Sequence, residues 1–599
     1  MIQYNNMYKE MKKLILLIIL LPAFIGCEGL FEPEIENFRD KESLIKEPDL
    51  AQRALGHAYM SHPLRGWSFS DVATDDAVSN DPVNQYMRIA TGQWSAINSP
   101  MNNNWQTRRS GIQYINYFLS LIDEVQWSAN EGINAMIVDR MRGDAHGMRA
   151  LFMYHLLLEH AGWTENGELL GVPILTEAEN IESYFNLPRN TFKECIAQIF
   201  SDVVVATENL PLFYTVIDKD EDVPEKYREL GITAPDYTSR GFGPSIADGR
   251  MNGAIAEAVL AQAYLLAASP AYSAGSGINW EQAANRLATV LGRLGANPIA
   301  QIDANGHKWY ESVPSGAGVN PLEILWRGDK ERNHSLEEDH FPPTVFGNGR
   351  LNPTQNLVDA FPMADGYPAT VDNGYDPNLP YNNRDPRLAL YIIYNGSTAG
   401  ANSVVINTAE DGPNSNALNR ETGRSTRTGY YMKKHLIQSV RDNSSPNWND
   451  QEHYKAYIRY TEIFLSFAEA ANEAWGPTDA RMGYSAYSII RAIRARAGIT
   501  GGDLYLESIK NDQDAMREMI RNERRLELCF EGHRFWDLRR WNVNIDKLTE
   551  PARGMRITNV DTYQPFVVEQ RDYSDYMYHA PIPYSEILKF NNLEQNKGW

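Results

Sequence analysis

The sequence predicts an all-α protein in which paired helices form the scaffold and carry a large, irregular, loop-rich insertion. Amphipathic helical patterns dominate two blocks of the chain, and a stretch rich in Gly, Pro, Asn and Asp separates them. The chain has 599 residues, which is long for one hydrophobic core, so two or more structural units are expected.

The N-terminal block contains amphipathic helical patterns at 142–160, 192–209, 252–268 and 280–294. In the third pattern, Ala254, Ala258 and Ala261 recur at helical spacing. Small residues at that spacing let two helix axes approach closely, as paired-helix repeats require. Pro270 lies just beyond the end of this pattern. Element size and small-residue spacing therefore favour paired helices, although no repeat is sharp in the sequence itself.

The second block contains helical patterns at 457–473, 485–497 and 514–531. Between the two blocks, roughly at 273–450, the chain offers few long periodic runs and many scattered aromatic residues. Loops of that length are usually either functional or disordered. The aromatic content and the scarcity of low-complexity runs favour an ordered, functional region.

A short basic and then apolar segment at the N-terminus ends at a cysteine. Lys12 and Lys13 precede an apolar run at 14–25, which is too short to span a bilayer as a helix, since about 20 residues are needed. This pattern is typical of a secretory signal peptide. The sequence Phe-Ile-Gly-Cys at 24–27 resembles the lipobox of bacterial lipoproteins, which implies that Cys27 becomes the first mature residue and carries the acyl chains.

These patterns divide the chain into five predicted regions. They are a lipoprotein signal peptide at 1–26, a lipidated N-terminus and linker at 27–45, a helical region at 46–272, an irregular ligand-binding region at 273–450 and a C-terminal helical region at 451–599.

The net charge limits the classes of partner. The whole chain has a formal charge of −21, and the first 26 residues hold three lysines and one glutamate, so the mature chain has −23. Nucleic-acid binding needs clustered Lys and Arg, and docking on anionic lipid needs basic patches. We therefore expect no nucleic-acid partner, and we expect contact with the membrane through the lipid anchor only.

The cysteines indicate no metal site. With Cys27 acylated, Cys195 and Cys529 remain, far apart in the sequence. A disulfide is possible outside the cytoplasm, but two small buried apolar residues are favoured. There is no CxxC pair or Cys/His cluster of the kind that binds structural zinc.

One acidic segment has part of the spacing of a calcium-binding loop. Its acidic residues at positions 1, 3, 5 and 12 are Asp218, Asp220, Asp222 and Glu229. Val223 replaces the glycine needed at position 6 and Pro224 follows it, so a solvated acidic loop is favoured. We predict neither a metal nor a cofactor.

The C-terminal third contains the motifs that point to a family. The segment RNERRLELCFEGHRFWDLRRW at 521–541 resembles the signature helix of the SusD/RagB family of outer-membrane nutrient-binding lipoproteins. The ending APIPYSEILKFNNLEQNKGW at 580–599 is similar to the C-terminus of that family. Further matches in the expected order are Ala73-Thr-Asp-Asp76, Trp105, 111–118, Arg384-Asp-Pro-Arg387, 460–473 and 494–498. Together with the lipobox, the resemblance covers the whole chain.

The resemblance implies a fold and a function. Members of this family have paired tetratricopeptide-like helices and a second, irregular face that binds glycan. They are anchored on the cell surface by their lipid, cover a SusC-like TonB-dependent transporter of the outer membrane, and catalyse no reaction. Some relatives capture peptides instead of sugars.

The signature segment itself is interpreted as structural rather than catalytic. Glu523, Glu527 and Glu531 fall at helical spacing and form one acidic stripe, and such carboxylates repel one another unless cations lie among them. The nearby arginines that could supply these cations are Arg524, Arg534 and Arg539. A glycosidase needs two carboxyl groups about 5–9 Å apart, but carboxylates bordered by arginines are more often ion-pair networks.

Carbohydrate recognition has clear chemical needs. Flat apolar sugar faces stack on Trp or Tyr, and a few polar groups fix the hydroxyls. The chain has 13 Trp and 32 Tyr, which suits such surfaces. The family's ligand residues vary between members, so only position in the chain indicates the candidates here. They are Trp67, Asp75, Asn102, Tyr272, Trp280, Trp309 and Tyr310, of which Trp67 and Trp309 are favoured, with partly buried packing as the alternative for each aromatic residue.

The sequence therefore predicts a lipid-anchored outer-membrane protein, exposed at the cell surface, that captures oligosaccharide or polysaccharide and delivers it to a SusC-like TonB-dependent transporter. Three alternatives stay open. The same scaffold could capture peptides, the protein could be a lipoprotein glycosidase, or it could be a structural lid whose ligand is bound elsewhere in the complex.

Overall fold

The structure is a computed structural model that describes residues 41–313, 316, 319–440, 448–559 and 561–599. The predicted signal peptide and Cys27 lie outside the described residues. Long helices form the scaffold, as the sequence predicts. They are α1 (Pro48–Ser61), α2 (Asn102–Leu121), α3 (Glu131–His160), α4 (Phe192–Asn209), α5 (Gly253–Ala268), α6 (Trp280–Gly292), α7 (Tyr460–Trp475), α8 (Ala486–Arg496) and α9 (Gln513–Glu527).

Each long helix packs against the next one in the chain. The contacts run from α1 to α2 and on through α3, α4, α5 and α6 to α7, which also contacts α8 and α9. Ala254, Ala258 and Ala261 of α5 are completely buried, so the expected close approach of small residues is confirmed. Gly111 serves the same purpose between α2 and α3, because a Cβ there would lie 2.5 Å from the ring of Phe152.

Helix α6 lies inside the range that the sequence assigns to the irregular region. It packs between α5 and α7, and so joins the N-terminal and C-terminal helices into one helical layer. Its first turn is capped by Asn279, whose side chain accepts a hydrogen bond from the backbone N–H of Gln282. The irregular stretch that is inserted into this layer therefore begins after α6.

Short helices and turns fill the connections. The α-helical segments span Lys41–Lys46, Gln85–Ala90, Glu225–Arg228, Ala234–Asp236, Pro244–Ala247, Ser273–Ser276, Ser335–His340, Gln355–Ala360, Pro386–Tyr391, Leu504–Ile509, Arg534–Arg540, Ile545–Leu548 and Tyr584–Lys589. The 3-10 segments span Ser70–Ala73, Asp220–Asp222, Pro298–Gln301, Gly306–Glu311, Pro343–Val345, Val371–Asn373, Gln438–Val440 and Asp575–Tyr578, and Tyr237–Phe242 is a π-helical turn.

The strands are short and pair as antiparallel ribbons. The pairs are Ala77–Ser79 with Leu351–Pro353, Gly162–Trp163 with Leu169–Leu170, Ile324–Arg327 with Ala456–Arg459, Glu331–Asn333 with Gln451–His453, Ile392–Ile393 with Tyr431–Met432, Thr398–Ala399 with Val404–Val405, and Ala552–Thr558 with Thr562–Glu569. Three of these ribbons join segments more than 100 residues apart, and these long-range pairings hold the irregular region against the helical layer.

The acidic stripe of the signature segment is a buried ion-pair network. Glu523 and Glu527 are fully buried, and Arg387 donates to both of them and to Asp385. Arg496 binds Glu527 at 2.7 Å. The interpretation as an ion-pair network is confirmed.

The predicted sources of the cations are wrong. Arg524 binds Asp537 at 2.7 Å, Arg534 binds Asp75 at 3.0 Å, and Arg539 lies over the ring of Phe535. The helix ends at Glu527, so the chain turns away before residue 531. The cations come instead from distant segments, which local spacing does not reveal.

The two cysteines inside the described residues are free and buried, as the sequence favours. Burial raises the pKa of the Cys195 and Cys529 thiols to about 12. Both side chains are therefore protonated at neutral pH and act as small apolar residues.

Arg387→Met tests the network. The substitution leaves Asp385, Glu523 and Glu527 buried with too few cations. Breaking a buried ion pair of this kind lowers the free energy of unfolding by about 3–5 kcal/mol. Urea unfolding followed by circular dichroism measures the loss. The control is Arg240→Met, because the Arg240–Asp236 pair is exposed and such pairs contribute about 0–1 kcal/mol. Equal midpoints for the two variants would contradict the assignment.

The network also predicts acid sensitivity. Burial alone would raise the pKa of Glu527, but the charges of Arg496, Arg387 and Arg459 outweigh it and lower the pKa to about 2. A lowered folded-state pKa adds stability above the ordinary value of 4.5, and this stability is lost as the pH falls toward 2. The stability difference between the wild type and Glu527→Gln is therefore expected to shrink from pH 6 to pH 3 in urea titrations. A constant difference would contradict it.

Candidate ligand-binding site

A cavity of about 690 Å³ opens between the end of α1, the loop at 62–69 and the irregular region. Its volume falls in the range of about 300–1,000 Å³ that is usual for small-molecule sites. The two ribbons formed by Ile324–Arg327 with Ala456–Arg459 and by Glu331–Asn333 with Gln451–His453 supply one wall. The site is therefore built from segments almost 400 residues apart.

Aromatic side chains line part of this cavity. Trp67 and Phe69 stand parallel, with an interplanar angle of 6° and ring centroids 6.1 Å apart. Tyr59 and Tyr457 also line the cavity, and all four residues are half-buried. Half-buried rings of this kind can stack on the apolar face of a sugar.

A second layer of side chains supports Trp67 from behind. The ring centroid of His435 lies 4.8 Å from that of Trp67 and 5.6 Å from that of Trp309. The ring centroids of Tyr310 and His435 are 5.3 Å apart. His435 has a φ of 72°, in the left-handed region that is uncommon for residues other than glycine. Burial holds the pKa of His435 well below its usual range, so the ring is neutral and packs as part of the core.

Lys455 holds the loop that carries Trp67. Its Nζ donates to the carbonyl oxygens of Leu64 at 2.9 Å and Gly66 at 2.6 Å. The backbone N–H of Leu64 donates to Nδ1 of His62 at 3.2 Å, and burial lowers the pKa of His62 to about 3, which leaves that nitrogen free to accept. The position of Trp67 is therefore fixed by side chains from two directions.

The charged groups of the cavity balance one another. Its cationic side chains are Arg65, Arg250, Arg327, Arg350 and Lys455, and its carboxylates are Asp81, Asp248, Asp329, Glu331 and Asp339. Arg327 binds Asp248 at 3.1 Å. The strong acidity of the whole chain is thus absent from the cavity, which offers many donors and acceptors without a large charge of one sign.

Gly328 keeps the cavity open beside Tyr457. A Cβ at this position would lie 2.6 Å from the Tyr457 hydroxyl oxygen. The ring of Tyr457 packs edge-on against Trp326, with ring centroids 5.2 Å apart. The Tyr457 side chain therefore has little room to move away from a Cβ. The glycine is required here by this close approach.

The structure brings one of the favoured residues to the cavity and buries the other. Trp67 lines it, whereas Trp309 and Tyr310 are 2% and 6% exposed. Both pack in the layer behind Trp67. The expectation that these two contact a ligand does not fit their burial, because tertiary packing turns the 306–311 segment inward.

The remaining candidates lie elsewhere. Asp75 is buried and binds Arg525 and Arg534 at 3.0 Å and Lys547 at 2.8 Å, so its carboxylate is fully used in the core. Asn102 is the first residue of α2, and its side-chain amide donates to the carbonyl oxygens of residues 96 and 97.

Tyr272 is buried against Phe192, with ring centroids 5.1 Å apart. Trp280 is half-buried and lines a separate cavity of about 380 Å³. None of these four candidates lines the cavity beside Trp67; they are Asp75, Asn102, Tyr272 and Trp280. The expectation of ligand contact at Asp75 and Tyr272 does not fit their buried positions.

Sequence reasoning missed the partners of Trp67. Phe69 follows Trp67 by two residues in the same loop, and this spacing is a usable signal. Tyr59 and Tyr457 gave none, because they join the site only through helix packing and ribbon pairing.

Within the described ranges, no group of three or more His, Cys, Asp or Glu could hold a metal ion. No helix in that part of the chain is long and apolar enough to cross a membrane.

Comparison with known proteins adds the family. The sequence model of the SusD family matches residues 323–599, and a second one, described as starch-binding and associating with the outer membrane, matches 36–219. The chain belongs to the SusD family. SusD-like protein P38 of Formosa agariphila is 21% identical over 571 residues, which are 92% of this chain and 94% of that protein.

Solved structures show the same fold. A SusD-like protein from Bacteroides fragilis aligns with a TM-score of 0.70 and 22% identity, covering 94% of this SusD-family chain and 99% of that one. A SusD-like carbohydrate-binding protein from the same organism gives 0.65 and 21%, covering 92% and 100%. The predicted tetratricopeptide-like helical scaffold with an irregular insertion is confirmed.

Lys455→Met tests how the Trp67 loop is held. Loss of the two hydrogen bonds from Nζ should raise the amide exchange rates of residues 64–68 at least about tenfold, which corresponds to 1.4 kcal/mol, with little change in the global melting temperature. Hydrogen–deuterium exchange with mass spectrometry measures this. Lys433→Met is the control, since Lys433 makes one long hydrogen bond of 3.3 Å at the surface. Unchanged exchange at 64–68 would contradict the role of Lys455.

Proposed function

We propose that this SusD-family chain is a surface lipoprotein that captures oligosaccharides in the cavity beside Trp67. It delivers them to a SusC-like TonB-dependent transporter in the outer membrane. The observation that carries the proposal is the pair of parallel, half-buried rings of Trp67 and Phe69 at the edge of a cavity rich in polar groups. This combination meets the needs of sugar recognition.

The charge of the cavity favours neutral glycans. Its five cationic side chains and five carboxylates cancel, and the chain as a whole is strongly acidic. A strongly anionic glycan would meet long-range repulsion and no compensating excess of cations. The preferred ligands are therefore uncharged oligosaccharides.

The proposed role is binding without catalysis. The carboxylates of the signature segment that came nearest to a catalytic pair, Glu523 and Glu527, are fully buried and bound to arginines. A substrate has no access to them. Incubation of the protein with its bound oligosaccharide should therefore give no shortened products in chromatography.

The alternative function is peptide capture by the same scaffold. The observation that favours it is the presence of both signs of charge in one cavity, since peptides carry both ammonium and carboxylate groups. Competition between a peptide pool and an oligosaccharide for the cavity distinguishes the two functions.

Lipidation of Cys27 and an outer-membrane location form part of the proposal. They are supported by the sequence at 12–27 and by the match to a family described as associating with the outer membrane. Metabolic labelling with a fatty-acid analogue, lost in Cys27→Ala, tests the anchor. Protease accessibility on intact cells tests the orientation.

Trp67→Ala tests the binding site. Because the stacking surface is lost, the affinity for the bound oligosaccharide should fall at least about tenfold, which is 1.4 kcal/mol. The measurement is affinity electrophoresis of the full-length chain in detergent against a panel of neutral polysaccharides, followed by calorimetry with the oligosaccharide that binds. Unchanged melting temperature establishes that the fold is intact.

The matched control is Tyr184→Ala, which removes an aromatic ring that is 64% exposed and lies outside the cavity. Equal losses in the two variants, or retention of full affinity by Trp67→Ala, would overturn the assignment of the cavity. Binding of peptides and of no glycan would replace the proposed function with the alternative.

A further inference from the structure

A second cavity, of about 710 Å³, lies on a different part of the protein. It is formed by the hairpin around Trp163, the segment Asp575–Tyr578, Pro270 and the tail at 596–598. It shares no lining residue with the cavity beside Trp67. The function proposed above makes no use of it.

Three half-buried aromatic residues line the second cavity, and each is held in place. Trp163 Nε1 donates to the carbonyl of Ala271 at 2.9 Å. The ring of Tyr576 packs edge-on against Trp599, with centroids 4.8 Å apart. The Tyr578 hydroxyl donates to the carbonyl of residue 543. The rings are therefore preorganised, and a ligand that stacks on them would cost little additional side-chain entropy.

Three polar side chains also line the second cavity. Asn542, Asp575 and Lys597 line it and are exposed. Within the part of the chain that the structure describes, none of these three side chains forms a hydrogen bond or an ion pair. An amide, a carboxylate and an ammonium group together can both donate to and accept from hydroxyl groups.

The charge of the second cavity excludes some ligands. Glu165 and Asp575 contribute carboxylates and Lys597 contributes one ammonium. Glu165 also accepts a hydrogen bond from the backbone N–H of Gly598 at 3.1 Å. The slight excess of negative charge disfavours phosphate, sulfate and uronate groups, while an uncharged polyol meets rings and hydroxyl partners.

We infer that this second cavity is a binding site for neutral saccharide, separate from the cavity beside Trp67. The inference goes beyond the proposed function, because it assigns a second site whose ligand class follows from its own lining. One chain would then hold a polysaccharide at two points. Two such contacts on one polymer raise the overall affinity through a high effective concentration at the second site.

The variants that test this inference change exposed polar groups and leave the rings in place. Asn542 has a φ of 50°, so Asn542→Gly keeps the backbone unstrained and removes the amide. Lys597→Met removes the ammonium at an exposed position. Asn559→Gly is the matched control, because Asn559 is exposed, has a φ of 51° and lines neither cavity.

The experiment is isothermal calorimetry on the full-length chain in detergent. The probes are malto-, cello-, xylo- and manno-oligosaccharides. The wild type is expected to bind two saccharide molecules per chain, and Trp67→Ala one. Adding Asn542→Gly and Lys597→Met to Trp67→Ala should weaken the remaining binding at least tenfold, whereas adding Asn559→Gly should not.

Each other result has a definite meaning. If Trp67→Ala binds no saccharide, whether the wild-type chain binds one molecule or two, the second site is overturned. The proposed function then still stands. Full binding in Trp67→Ala that disappears with the added changes would support the second site and overturn the first. Equal effects of Asn542→Gly and Asn559→Gly, or displacement of the saccharide by peptides at the second cavity, would overturn the inference.

Discussion

The buried ion pairs around Glu523, Glu527 and Glu531 connect the helical layer to the irregular region. Arg387 reaches the network from the short helix Pro386–Tyr391, and Lys434 reaches Glu531 at 2.6 Å from the end of the irregular region. Arg459 binds Glu531 at 2.8 Å from the strand that precedes α7. Charges this deeply buried are tolerated only when they are paired and hydrogen-bonded. The segments that carry them must therefore lie where each charge keeps its partner.

The position of the cavity follows from this network. Lys434 is the neighbour of His435, which supports Trp67, and Arg459 lies two residues beyond Tyr457, which also lines the cavity. Displacement of either cation would remove one of the two positive charges that pair with the buried carboxylate of Glu531. The aromatic surfaces of the site are therefore positioned by electrostatic pairing in the core and not only by their own packing.

A second set of pairs anchors the N-terminal side of the cavity. Arg525 binds Asp76 at 2.6 Å, and Arg534 binds Asp75 at 3.0 Å. These contacts join the signature segment to the loop before the strand Ala77–Ser79, and Ser79 and Asp81 reach the cavity. The motif that identifies the family thus holds together the segments around the cavity beside Trp67, while the residues that line this cavity come from other parts of the chain.

The sequence by itself determined the helices, the break between the two helical blocks and the identity of the family. These depend on local periodicity, small-residue spacing and contiguous motifs, all of which lie within about 20 residues. The sequence also favoured Trp67 as a candidate because this residue stands in a loop ahead of Asp75 and Asp76. Tertiary structure alone decided that Trp309 and Tyr310 lie behind Trp67, that Asp75 pairs with arginines, and that Tyr59 and Tyr457 line the same cavity. The physical reason is that burial and ion pairing between segments separated by hundreds of residues are set by packing, which no local pattern records.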